Sequence, residues 1–93
     1  KLGFIYILTN KNNTTLYVGV TNNIITRKHH PKPFTARYNL HKLVYYEAFH
    51  EIGDAIAREK QLKGGNRAQK VGLIESINPN WKDLFGVVQE EFA

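Results

Sequence analysis

Two short apolar runs, Phe4-Ile5-Tyr6-Ile7-Leu8 and Leu16-Tyr17-Val18-Gly19-Val20, lie on either side of the asparagine-rich stretch Asn10-Lys11-Asn12-Asn13. A nearly unbroken apolar, β-branched run of this length reads as a strand buried on both faces, and the asparagines supply turn chemistry. The pair predicts an antiparallel hairpin whose first strand is central in a sheet, although its loop is longer than the tightest hairpin turns.

The rest of the chain supplies what such a hairpin needs to bury. Thr21-Asn22-Asn23 offers N-cap side chains before Ile24-Ile25, which predicts a short helix carrying Arg27 and Lys28 and stopping before Pro31. Pro31-Lys32-Pro33 reads as loop, and Leu43 to Phe49 as a third strand. A helix is expected from Glu51 to Lys63, ending at Gly64-Gly65 in a left-handed cap, and another from Arg67 to Ile77, ended by Asn78-Pro79. Trp81 to Leu84 should close against the core as a turn, followed by a frayed acidic tail from Glu90. The order β-β-α-β-α-α predicts an α+β fold, a small three-stranded antiparallel sheet flanked by helices. With 93 residues, one unit spanning 1–93 is expected.

Composition narrows the chemistry. The chain has no Cys, which excludes disulfides, thiolate metal sites and a cysteine nucleophile, so a bound metal would need oxygen or imidazole ligands, with Mg²⁺ or Mn²⁺ the natural class. No apolar run approaches a membrane span, and a cytoplasmic protein is expected. Residues 1–46 hold Lys1, Lys11, Arg27, Lys28, Lys32, Arg37 and Lys42 and not one carboxylate; all eight acids follow residue 46. A carboxylate-free basic half interleaved with Tyr and Phe suits a polyanion, with nucleic acid, DNA or RNA, the leading partner, although a merely solubilising surface has the same composition.

Glu59 is the most telling single residue. At 100° per residue it falls on the apolar stripe of its helix, with Ala55, Ile56 and Leu62, and has Lys63 one turn on. An ionised carboxylate facing a core must be paired, protonated or bound to a cation, and pairing with Lys63 or Arg58 is the plainest solution. Tyr6 and Tyr17, at the middle of the two hairpin strands, are placed to face one another; singly, each reads as core. Gly19 within a strand costs stability unless a bulge or a close ligand needs it, and suggests a phosphate contact. Arg27 offers a bidentate fork suited to phosphate, or is simply an exposed helix arginine.

Taken together, Phe4-Ile5-Tyr6 and Tyr17-Val18-Gly19, with Arg27 ten residues beyond the second tyrosine and Glu59 on a later helix, resemble the GIY-YIG nuclease motif. Short stand-alone members also show segments like Phe34-Thr35-Ala36-Arg37-Tyr38-Asn39, Leu43-Val44-Tyr45-Tyr46-Glu47 and Asn78-Pro79-Asn80-Trp81-Lys82-Asp83-Leu84, so the likeness covers about residues 4–85. Many members carry a lysine directly after the second half of the motif, where this chain has Val20. Stand-alone members place a histidine four residues past the arginine; here His29 and His30 come earlier and Pro31 takes that place.

The resemblance implies a metal-dependent DNA endonuclease, of the structure-selective kind used in repair or recombination. Tyr17 would take a proton from water, Tyr6 would orient water or phosphate, Arg27 would hold the phosphate, and Glu59 would fix the Mg²⁺ or Mn²⁺. His30 stands in for the family histidine, with His41 as a second candidate. Gly19, Lys28, Lys32, Arg37 and Lys42 would meet the nucleic-acid backbone. The alternatives are a non-catalytic basic nucleic-acid-binding module and a protein-interaction scaffold.

Overall fold

The computed structural model describes residues 1–29 and 32–92. Three strands form one antiparallel sheet in the order β2-β1-β3, with β1 at Gly3–Thr9, β2 at Leu16–Thr21 and β3 at Lys42–Phe49. Every residue of β1 is buried, because helices cover both faces of the sheet. Phe4, Tyr6 and Leu8 point into one core with Ile24, Leu40, Leu43, Phe85 and Val88; Ile5 and Ile7 point into the other with Val18, Val44, Tyr45, Ala55, Leu62 and Ile74. Strand alternation divides one apolar run between two cores, which is why its sequence shows no polar face.

The hairpin loop is held by Asn10, whose Oδ1 accepts the backbone N–H groups of Thr14 (2.8 Å) and Thr15 (3.3 Å), while Asn13 adopts φ 58°. Asn tolerates that left-handed conformation. After β2, Asn23 Oδ1 accepts the Thr26 N–H at 3.3 Å and opens α1, Thr26–His29. Of the loop expected at 31–33, residue 31 lies outside the described residues, and Pro33 begins a further helix, α2, Pro33–Arg37. Proline is favoured at a first helical position, where its missing N–H is no loss.

Helices α3 (Ile52–Gly64) and α4 (Arg67–Ile77) pack on the Ile5/Ile7 face. Two expectations for α3 need correction. Gly65 caps it with φ −83° and ψ 167°, and no described glycine has a positive φ, so its end is extended and not left-handed. Ile56 is 40% exposed, so the buried residues of the stripe are Ala55 and Leu62, with Glu59 half-buried between them. The α4 start is a capping box, with the Asn66 side chain accepting from Gln69 N–H (2.8 Å) and Gln69 Oε1 from Asn66 N–H (2.9 Å).

After α4, Asn78 binds the chain back to β3. Its buried Nδ2 donates to Val44 O (3.1 Å) and Lys82 O (2.8 Å), and its Oδ1 accepts from Lys82 N–H (3.0 Å). The turn expected over 81–84 falls earlier, at Pro79 and Asn80, with Trp81 N–H on Asn78 O at 3.0 Å; residues 81–84 run on as irregular chain, and Leu84 N–H reaches Leu43 O at 2.7 Å. The expected frayed tail is instead a helix, α5, Phe85–Phe92. Phe85, Val88 and Phe92 recur at helical spacing, and Phe92 meets the Phe4 ring edge-on at 5.0 Å. No helix among the described residues is long and apolar enough to cross a membrane.

Candidate active site

The β1–β2 register sets Tyr6 opposite Gly19, and Leu8 opposite Tyr17, so the two tyrosines share a face on the diagonal, with ring centroids 6.3 Å apart. They do not sit directly opposite one another. A Cβ at position 19 would overlap the phenol ring of Tyr6. Gly19 thus makes room for Tyr6 itself, a reason for the glycine that the sequence reading, which looked to a phosphate contact, did not include.

Tyr6 is 1% exposed. Burial pushes its hydroxyl up to about pKa 12; the neighbouring Tyr17 and Glu59 act in the same direction and Arg27 in the opposite one. Four side chains from β1, β2, α1 and α3 therefore share one electrostatic neighbourhood. At neutral pH Tyr6 is a protonated phenol, able to donate a hydrogen bond and unsuited to accept a proton. The Arg27 Nε is buried and has no hydrogen-bond partner among the described residues. A guanidinium N–H in that state is costly unless an anion completes it.

Glu59 reaches this neighbourhood from α3, its side chain 17% exposed, and its Oε2 lies 3.2 Å from Lys63 Nζ. Of the two cations that sequence offers it, the structure chooses Lys63. Arg58 is engaged elsewhere, with Nε and Nη2 each 3.0 Å from the Glu47 carboxylate on β3. Lys63 also stands over the Tyr17 ring, 5.8 Å from its centroid. No cluster of three or more His, Cys, Asp or Glu occurs among the described residues. A closed zinc-type site is therefore not formed by them, whereas a hard divalent ion that keeps most of its waters needs only one or two carboxylates. Glu59, half-buried and neutralised by a largely exposed ammonium, fits that lesser requirement.

The other expected contacts are scattered. Lys28 lines a recess of about 320 Å³ with Leu8, Arg27, Leu40, His41 and Phe85, its Nζ 6.0 Å from the Phe85 ring centroid. Lys42 lies in a second recess with Lys11, Asn39 and His41, away from the tyrosines. Lys32 precedes α2, and the Arg37 guanidinium lies 5.7 Å from the Tyr38 ring centroid. His30 lies outside the described residues. Sequence reasoning did not single out Phe34 and Tyr38, whose rings continue outward from Tyr17 at 5.5 and 4.8 Å. Their spacing of four residues was the available signal, hidden by the prolines beside them.

The model of the GIY-YIG catalytic domain matches residues 2–71. A UPF0213 protein of Clostridium perfringens (strain 13 / Type A) is 39% identical over 80 residues, covering 81% of this chain and 85% of that protein. No solved structure matches.

Proposed function

We propose, from the premise that this chain belongs to the GIY-YIG family, that it is an endonuclease hydrolysing DNA phosphodiester bonds with the help of Mg²⁺ or Mn²⁺. The observation that carries this reading is that Tyr6 and Tyr17 share one face of the sheet, ring centroids 6.3 Å apart, with the charges of Arg27 and Glu59 near enough to act on the Tyr6 hydroxyl. A family match makes nuclease chemistry the expectation, and that grouping gives each step of it a residue.

The unpartnered Arg27 Nε is the natural seat for a non-bridging phosphate oxygen. Tyr6, held protonated by burial, donates to the phosphate or to the attacking water. Tyr17 is the residue that would take the proton of that water, while the water oxygen bonds to phosphorus and the P–O bond to the departing oxygen breaks. Lys63 brings an ammonium to Tyr17 from α3, where many relatives carry a lysine at the position of Val20. Glu59 is the residue that would hold the metal, exchanging Lys63 for it. When bound, the metal supplies positive charge for the departing oxygen. Lys28, Lys32, Arg37 and Lys42, spread over separate parts of the surface, would contribute affinity for the nucleic-acid backbone without sequence preference.

The test is cleavage of single-stranded, nicked and branched DNAs with and without Mg²⁺ or Mn²⁺. Wild type should give product only with metal, and Tyr17→Phe and Glu59→Ala should each lose about a hundredfold or more of the rate while retaining DNA. Metal-independent product, or undiminished cutting by Glu59→Ala, would overturn the reading. Retention of DNA without product under any divalent ion would make the chain a binding module.

A further inference from the structure

Among the described residues, the only exposed aromatic side chains are Phe34 at 48% and Tyr38 at 49%. They are neighbours, with ring centroids 4.8 Å apart, and Phe34 in turn lies 5.5 Å from Tyr17. The three rings form a continuous strip that starts at the candidate catalytic tyrosine and runs outward over α2. About half of each residue's surface stays in water, and a ligand covering it would recover that unburied apolar area. The rings are tilted by 31° and 46° to one another, so each offers a face of its own.

Charge decides what covers them. Arg37 stands 5.7 Å from the Tyr38 ring, Lys32 precedes the helix, and residues 1–46, which hold all three rings, contain no carboxylate. Aromatic faces set among bare cations suit a polyanion that also presents flat π-systems. Nucleic acid does both, but only where its bases are unpaired, since a continuous duplex keeps base faces stacked inside. We propose that Tyr17, Phe34 and Tyr38 form a stacking platform for unpaired nucleotides adjoining the cleaved phosphate, so that the site takes single-stranded or locally unpaired DNA in preference to continuous duplex. This rests on the nuclease reading for its phosphate, although base stacking itself needs neither metal nor cleavage.

The experiment is therefore a binding measurement in EDTA, by fluorescence anisotropy, on a labelled oligothymidylate and on a blunt duplex of the same length. Wild type should prefer the unpaired oligonucleotide. Phe34→Ala and Tyr38→Ala should each weaken that binding by about tenfold, leave duplex binding and the melting temperature unchanged, and recover it as Phe34→Trp and Tyr38→Trp. Equal losses on both DNAs, no loss on either, or no recovery by Trp would overturn the platform. A platform confirmed in EDTA alongside an absence of metal-dependent product would leave stacking intact and refute the nuclease, so the two failures are distinguishable.

Discussion

Gly19 and Lys63 show how single residues set this site. The absent side chain at 19 is filled by the Tyr6 ring across the strand pair, so any Cβ there drives against a buried phenol that has nowhere to go. Gly19→Ala is expected to cost about 1–3 kcal/mol in denaturant unfolding and to displace Tyr6, with loss of cutting; wild-type stability and activity together would refute that packing account. Lys63 occupies Glu59 at 3.2 Å while itself 51% exposed, as a replaceable counter-ion should be. Exposed pairs of this kind contribute up to about 1 kcal/mol, so Lys63→Ala should tighten Mn²⁺ binding roughly two- to fivefold, read by electron paramagnetic resonance without substrate. Weaker binding would mean that Lys63 assists the metal and does not compete with it.

At the scale of elements, α2 and α5 were not anticipated, for reasons that differ. The prolines flanking Lys32 punctuate a loop in any local reading, yet Pro33 is admissible as a first helical residue, and Thr35 returns its hydroxyl to Lys32 O at 2.9 Å. Helix α5 carries acidic residues that suggest fraying, but Glu91 accepts a hydrogen bond from the Tyr46 hydroxyl at 2.9 Å and Phe92 packs on Phe4. The segment between α4 and α5 depends on one amide. Asn78→Ala removes three hydrogen bonds and leaves buried carbonyls unpaired, and should lower unfolding free energy by about 2–3 kcal/mol. A loss below about 0.5 kcal/mol would show that the turn holds without it.

Across the whole molecule, charge is arranged in two ways: the basic residues of 1–46 lie in a stretch of chain without carboxylates, whereas α3 and β3 are joined through paired charges. Burial alone would raise the Glu47 carboxyl, but hydrogen bonds from Arg58 and from the Tyr45 hydroxyl outweigh it and hold the group below its usual 4.5. The unfolded chain then binds this proton first on acidification. The stabilisation is thus present above pH 4.5 and is lost as pH falls through the lower folded value. The melting temperature of wild type should decline more steeply below pH 4.5 than that of Glu47→Gln, and parallel acid limbs would exclude this linkage. The hairpin, its central strand, the buried stripe carrying Glu59 and the likeness in Tyr6, Tyr17 and Arg27 were all legible in sequence, because each depends on spacing along a single element. Which cation meets Glu59, what fills the space at Gly19 and the aromatic strip over α2 were decided only by tertiary structure. Those depend on distances between elements remote in the chain, which no local periodicity encodes.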